Sequence, residues 1–234
     1  MNLFRVPILL PLLLSGCIGL SPTALPKDPA YIVAVESVRI PTTEPWVSRF
    51  AYHTWLDLKR GAENNWERVE ILSAESGVNI YPISAAEARG ETRWDNPMEV
   101  VGLVTGDAAK EMIPGLEARA RNYPDRAAYA AWPGPNSNSF ITYLARSTPG
   151  LNLQFNHNAA GRDYTPWIYA GPSVTGSGVQ VDTWLLGLQA GWREGIQVHF
   201  LQLTFGISWF PPALELPVLP RIGMPPAKPP ATGG

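Results

Sequence analysis

The chain has 234 residues, of which 45% are hydrophobic, and its 18 Lys and Arg against 20 Asp and Glu give a formal charge of −2. This near-neutral charge, with no cluster of basic residues, excludes the basic surface that nucleic-acid-binding proteins present. The chain contains one cysteine, so no internal disulfide can stabilise the fold. We therefore expect stability to come from an apolar core.

The first residues have the layout of an export signal. Arg5 precedes an apolar run at residues 6–14, and two small residues follow. The run is shorter than the roughly 20 residues that cross a bilayer as a helix, so it predicts no lasting transmembrane segment. Residues 14–17, Leu-Ser-Gly-Cys, resemble the lipobox of bacterial lipoproteins. The resemblance implies cleavage before Cys17, lipidation of its thiol and attachment of the mature protein to a membrane; the alternative is a short apolar leader with a chance cysteine.

These signals divide the chain into four parts. We expect a signal peptide at 1–16, a lipidated tether at 17–29, a single domain at 30–222 and a proline-rich disordered tail at 223–234. Ile18 stands where an aspartate would favour retention at the inner membrane. We therefore expect a location in the bacterial envelope, at the outer membrane where the cell has one.

The predicted elements begin with strands and change to helices in the middle of the chain. Asp107 is expected to cap a helix that runs to residue 121, with a kink or a restart at Pro114. Another helix is expected from Ser137 to Arg146, before a Pro-Gly pair. Stretches rich in β-branched and aromatic residues predict strands or strand-like pieces at 31–40, 49–59, 66–73, 78–84 and 99–105.

The C-terminal part alternates between apolar and polar residues. Val179–Gln189 and Ile196–Ser208 flank the turn-like residues 192–195, which predicts one long β-hairpin. The complete prediction is an α+β fold with an antiparallel sheet, two or three helices and this hairpin.

The chain contains three histidines, and their spacing is not that of metal ligands, so we expect neither a metal nor another cofactor. His199 is interpreted as a hydrogen-bonded sheet residue and His157 as a solvated loop residue. His53 lies in a predicted strand, while Ser137 opens a predicted helix. A serine hydroxyl at a helix N-terminus lies among unpaired N–H groups that stabilise negative charge, and a nearby histidine would take its proton. The alternative is that Ser137 or Asn136 only caps the helix.

The order of a His-Thr strand, a helix, Tyr129 and an Asn-X-Asn-X-Phe motif resembles circularly permuted papain-like proteins, which include PPPDE-type peptidases and relatives of lecithin–retinol acyltransferase. The resemblance covers roughly residues 48–147. It implies a permuted papain-like half, with His53 as the base and Ser137 at the position of the nucleophilic cysteine. Because a serine needs a well-placed base and oxyanion donors, Ser137 is either a nucleophile or the remnant of a site that now only binds.

Further residues complete this hypothesis. Glu70 on the neighbouring predicted strand is the candidate for orienting His53, although one step of register would turn it to the other face. Asn136 and Asn138 are expected to shape an oxyanion or substrate site, and Trp55 to bind substrate. The expected reaction is hydrolysis or acyl transfer on a peptide, cell-wall or lipid substrate.

The rival hypothesis is a non-catalytic envelope protein that binds a ligand or partner. Trp184, Trp192 and Trp209 of the predicted hairpin would then form an apolar surface against a membrane or a partner, whereas tryptophans are more often core residues. The sequence leaves the oligomeric state open.

Short motifs spread over the mature chain resemble a proteobacterial family of membrane-associated proteins of unknown function. The resemblance implies a single domain and supplies no activity. The motifs are His53-Thr54-Trp55, Arg68-Val69-Glu70, Gly134–Asn138 followed by Phe140, Gly161–Tyr164, Pro172–Gly176 and Ala213–Pro217.

Overall fold

The part of the chain that the computed structural model describes forms two antiparallel sheets and three helices. The expected signal peptide, Cys17 and most of the tether lie outside this part, as do residues 226–234 of the expected tail. No helix in it is long and apolar enough to cross a membrane. The described residues are 25–41, 51–61, 63 and 65–225.

The first sheet has six strands and the second has seven. The strands of the first sheet are β1 (Ile32–Arg39), β2 (Tyr52–Arg60), β3 (Asn65–Ile71), β4 (Val78–Ile83), β5 (Thr92–Arg93) and β6 (Asn96–Thr105). Those of the second are β7 (Tyr169–Pro172), β8 (Gly178–Asp182), β9 (Leu186–Gly191), β10 (Gly195–Phe200), β11 (Leu203–Trp209), β12 (Pro212–Glu215) and β13 (Ile222–Gly223). The helices are α1 (Ala85–Ala88), α2 (Gly106–Arg121) and α3 (Ser137–Arg146).

The first sheet, in the order β4-β3-β2-β1-β6-β5, buries one face under α2 and α3. Side chains alternate between the two faces of a strand, so every second residue of the central strands enters this core. Val35 of β1, Leu56 and Leu58 of β2 and Val69 of β3 pack there with Phe140 of α3. The other face holds polar and aromatic side chains and two small apolar clusters.

The second sheet is a meander, in which each strand pairs with its neighbour in sequence. Its inner face packs on the loops between α3 and β7, and the side chains there are mostly polar, for example Gln180, Gln189 and His199. The side chains of its outer face are exposed and apolar. We call the outer face the side formed by Val179, Val181, Leu186, Leu188, Ile196, Val198, Phe200, Phe205, Ile207, Trp209, Leu214 and Ile222.

The expected α+β fold with a permuted papain-like half is wrong. Strands make up 40% of the described residues and helices 16%, and the three described helices are few beside thirteen strands. The expected C-terminal hairpin is also wrong, because each of its two arms folds back to give two strands. Residues 192–195 do turn between β9 and β10, as predicted, but further turns follow β8 and β10. The turn after β10 consists of Leu201 and Gln202, both at positive φ, and these residue types give no turn signal in the sequence.

The helical predictions differ from the structure in detail. Helix α2 continues through Pro114 without a restart, and Asp107 lies in its first turn instead of capping it. Helix α3 begins and ends where predicted, at Ser137 and Arg146.

Candidate functional site

The N-terminus of α3 is held by asparagine side chains. Asn136 caps the helix, and its Oδ1 accepts from the N–H groups of Asn138 at 2.9 Å and Ser139 at 3.3 Å. Asn138 Oδ1 accepts from the Thr54 hydroxyl at 2.7 Å, and its Nδ2 donates to the carbonyl of Tyr52 at 2.8 Å. Asn138 therefore fastens α3 onto β2, while Asn136 caps the helix and donates its Nδ2 to the carbonyls of Ala131 and Ala160.

Ser137 is buried on the same side of the sheet as the apolar core. It is 3% exposed, and its side chain hydrogen-bonds the hydroxyl of Tyr129. Burial raises the pKa of Tyr129, and the hydrogen bond to Ser137 offsets part of this rise. The partner of the Ser137 hydroxyl is thus a phenol that stays protonated, not a base.

His53 and Ser137 lie on opposite faces of the first sheet. Thr54 points toward α3, since its hydroxyl reaches Asn138. His53 is its neighbour on β2 and therefore points the other way, because successive side chains of a strand face opposite sides. The structure does not bring the expected base and nucleophile together.

Glu70 does meet His53, as the register of β3 places both on one face. His53 Nε2 lies 2.8 Å from Glu70 Oε2. The same carboxylate accepts from both ends of the Arg93 guanidinium, at 3.0 and 3.1 Å, and from the hydroxyl of Tyr81. Glu70 is 0% exposed, so its carboxylate is desolvated, whereas the Arg93 side chain is 16% exposed.

The protonation states of this network follow from its contacts. Burial would raise the pKa of Glu70, but the hydrogen bonds from His53 and Arg93 outweigh it and hold the pKa well below its usual range. Burial lowers the pKa of His53, and Glu70 offsets this only in part. His53 is therefore neutral, and since an ionised carboxylate only accepts, its Nε2–H must donate to Glu70.

Aromatic rings enclose His53. Trp55 stacks on it with ring centroids 5.6 Å apart, and Trp94 lies 5.4 Å away on a tilted plane. Arg93 lies 4.6 Å from the centroids of both tryptophans. Trp55, expected to bind substrate, is itself 0% exposed and packs in a small apolar cluster. The site has the character of a closed structural network.

Sequence reasoning missed several members of this network. Asp57 and Arg68 form a two-pronged pair at 2.8 and 2.7 Å beside it. Their signal was the alternation of charged residues with buried apolar ones in β2 and β3. Arg93 and Tyr81 gave no such signal, because each lies in or beside a short edge strand.

A second polar cluster lies under the second sheet. His199 is hydrogen-bonded in β10, as predicted, with Nδ1 2.9 Å from Asp163 Oδ2. Asp163, Asp182 and His199 each offer one candidate metal-ligand atom, and these atoms lie within 4.8 Å of one another. Burial and the Asp163 carboxylate raise the pKa of Asp182 to about 8, although Arg146 acts against this rise. His157 is not the solvated residue that we expected, since it is buried and lies 3.0 Å from the carbonyl of Leu219.

The outer face of the second sheet carries 12 of the 23 exposed large hydrophobic side chains in the described part of the chain. Direct pairing aligns one apolar row across six strands, and a second across four. The first row is Val179, Ala190, Ile196, Ile207, Leu214 and Ile222, and the second is Val181, Leu188, Val198 and Phe205. Trp184, Trp192 and Trp209, expected to form an apolar surface, are 49%, 64% and 37% exposed. Trp192 stacks on Phe210 at 4.4 Å at one end of the strands.

A protein family of unknown function, DUF3750, matches residues 33–164, which is more than half of the chain. The match includes nearly all of the first sheet, α2 and α3, and it ends before the second sheet begins. No curated protein and no solved structure matches the chain. The chain belongs to the DUF3750 family of proteins of unknown function.

Proposed function

We propose that this protein is a non-catalytic, lipid-anchored protein of the bacterial envelope, and that the outer face of its second sheet lies on a lipid bilayer. The observation that carries the proposal is the composition of that face. Its exposed side chains are aliphatic or aromatic, and the polar residues of the same strands point inward. A core sheet of a soluble protein has the opposite arrangement, with the apolar side covered.

The size of the outer face also supports this proposal. Seven strands spaced about 4.8 Å apart and two to seven residues long present about 550 Å². The largest apolar patch on an ordinary monomer is about 300–600 Å², and such patches mark interaction sites. Charge complementarity with a protein partner is not available to this face, because none of its residues is ionisable. A lipid surface requires no such complementarity.

The expected anchor supplies the reason to choose a bilayer as the occupant. Leu25 is packed beneath the first sheet, eight residues after Cys17. Eight extended residues span at most about 28 Å, so acyl chains on Cys17 would keep the domain at the membrane surface. This tether raises the local concentration of lipid around the domain, so a modest affinity of the outer face for lipid is enough to hold the sheet on the bilayer. Tryptophans at the ends of the strands suit the interface, where one edge of the ring is wet and the rest apolar.

A serine-dependent hydrolase or acyltransferase finds no comparable support. Such chemistry needs a base within hydrogen-bond reach of the nucleophile. His53 and Ser137 face opposite sides of β2, and Ser137 is bonded to Tyr129. Asn136 and Asn138, expected at the oxyanion site, use their side chains to hold α3.

The test is flotation of the full chain carrying Cys17→Ser with phosphatidylcholine vesicles, which isolates the sheet from the lipid anchor. We expect binding that persists in high salt, because the outer face carries no charge to be screened. Val198→Glu should weaken it about tenfold, which corresponds to roughly 1.4 kcal/mol. The matched control is Leu72→Glu, since Leu72 and Val198 are both 44% exposed and Leu72 lies outside the outer face.

Two outcomes would contradict the proposal. Equal flotation of Val198→Glu and Leu72→Glu would show that lipid is not bound by the outer face. The second outcome is that the Cys17→Ser chain does not bind vesicles but forms a dimer, and that Val198→Glu dissociates this dimer. That result would show that a second copy of the chain covers the outer face instead.

A further inference from the structure

Asp182 and His199 stand on either side of a glycine on the inner face of the second sheet. Asp182 of β8 pairs with Gly187 of β9, which in turn pairs with His199 of β10. Directly paired residues point to the same face, so the row has a gap at its centre. A Cβ added to Gly187 would overlap Asp182 Oδ1. The Asp182 carboxylate therefore leans over the gap in the row that leads to His199.

Both side chains carry an unpaired atom in the protein interior. Asp182 is 0% exposed and His199 1%. Asp182 Oδ2 accepts from Arg146 at 2.8 Å, but within the described residues Asp182 Oδ1 and His199 Nε2 have no hydrogen-bond partner. An unsatisfied buried polar atom destabilises the folded state, because it has lost its hydrogen bonds to water. Asp182 and His199 also belong, with Asp163, to the cluster of candidate metal-ligand residues, which separates them from the other buried residues with an unpaired atom.

Asp163 prepares His199 for such a ligand. It is held by Arg162 at 2.8 Å and by Gln180 at 2.5 Å, and it lies 2.9 Å from His199 Nδ1. The ionised carboxylate accepts the Nδ1–H, which leaves the lone pair on Nε2. Metal-binding histidines are oriented by a carboxylate in the same way.

We propose that Asp182 and His199 bind a divalent transition-metal ion over Gly187, with Asp163 as a positioning residue. An imidazole with carboxylate oxygens suits zinc and its neighbours, whereas magnesium and calcium prefer oxygen ligands alone. The ligands come from β8 and β10, so the ion links two strands that do not pair directly. Arg146 and Arg162 already balance the two carboxylates, so we expect weaker binding than at a cysteine-rich structural zinc site.

The test is calorimetric titration of Zn²⁺ into the full chain carrying Cys17→Ser, which removes the only thiol. We expect one site, a loss of affinity of about 100-fold or more in His199→Gln, and a loss of about 10–100-fold in Asp163→Asn. His157→Gln is the matched control. His157 is buried in the same half of the chain but lies near the Leu219 carbonyl and outside the cluster, so its replacement should leave affinity unchanged.

Co²⁺ provides a second readout, because its visible absorption depends on its ligands. A spectrum present in the His157→Gln control and lost in His199→Gln supports the proposal. Where His199→Gln does not fold, as judged by circular dichroism, Asp182→Asn replaces it, since the amide oxygen still accepts from Arg146. Equal binding of Zn²⁺ by the parent chain and a folded His199→Gln or Asp182→Asn variant would overturn the proposal, as would no binding by the folded parent chain.

Discussion

The two sheets of this protein use the same alternation of polar and apolar residues in opposite directions. In the first sheet Leu56 and Leu58 point into a core under the helices, and the other face holds ion pairs, such as Asp57 with Arg68 and Glu70 with Arg93. In the second sheet the apolar residues, such as Val198 and Ile207, point outward. An antiparallel sheet is stable with either face covered, so the direction of the alternation depends on what each face meets.

This difference between the two sheets indicates that the second sheet carries the function. The charged network around Glu70 is closed, because Arg93, Tyr81 and His53 all donate to its carboxylate. The second sheet leaves polar atoms unpaired on its inner face and apolar area uncovered on its outer face. Unpaired buried atoms occur in the first sheet too, for example Glu36 Oε2, but among the described residues the second sheet combines such atoms with a broad apolar face that nothing covers.

The largest effect should come from truncating equivalent leucines in the two sheets. Leu58→Ala removes a fully buried side chain and should lower the free energy of unfolding by about 2–5 kcal/mol. Leu188→Ala removes a side chain that is 53% exposed and should change it by no more than about 0.5 kcal/mol. Urea denaturation of the Cys17→Ser chain without lipid measures both. Similar losses in the two variants would show that the outer face is covered within the protein itself.

An intermediate effect should appear on acidification. The folded pKa of His53 lies below its unfolded value near 6.5, and that of Glu70 lies below its value near 4.5. As the pH decreases, each residue is protonated in the unfolded chain before it is protonated in the folded one. The stability of the fold is therefore greatest above about pH 6.5, and it decreases as the pH drops through the pKa values of His53 and Glu70 in the unfolded chain. Thermal unfolding between pH 7 and pH 3 measures this fall.

The matched variant for the pH series is Glu70→Gln, which keeps the shape and removes the charge. This variant should reduce the loss of stability below about pH 4.5, where Glu70 is protonated in the unfolded chain but not in the folded one. A fall of the same size in Glu70→Gln and in the parent chain would mean that other carboxylates cause it.

The smallest effect should come from Ser137→Ala. It removes one buried hydrogen bond to Tyr129 and should cost about 1 kcal/mol. A fluorophosphonate probe for activated serines should label the parent chain and Ser137→Ala equally weakly, because His53 lies on the other face of β2. Strong labelling that disappears in Ser137→Ala would restore the hydrolase hypothesis and place function in the first sheet.

Much of the first half could be predicted from local signals. Runs of β-branched residues located β1 to β4 within a few residues, and the polar residues before Phe140 located the start of α3. Adjacent predicted strands made Glu70 the candidate partner of His53, but the sequence left open which face of β3 Glu70 occupies. The separation of His53 and Glu70 from Ser137 could not be predicted, because the sequence gives the order of the elements and not the face of the sheet on which a helix packs.

The second half was harder because its turns lack sequence signals. Leu201 and Gln202 have φ values of 48° and 64°, which glycine or asparagine would adopt more easily. Tertiary contacts hold them there, since Gln202 Nε2 donates to the Thr183 carbonyl at 2.9 Å and Trp132 Nε1 donates to the Leu201 carbonyl at 2.7 Å. Without those contacts, the sequence supports a continuous strand.

The sequence by itself determined the strand period and the position of α3, and it left open whether Trp184, Trp192 and Trp209 lie in the core or on an apolar surface. Tertiary structure alone decided which face of each strand is covered, and therefore that His53 and Ser137 are separated while Asp182 and His199 stand on either side of Gly187. The physical reason is that alternation fixes the relative orientation of neighbouring side chains, whereas the absolute direction is fixed by the helices and loops that cover one face.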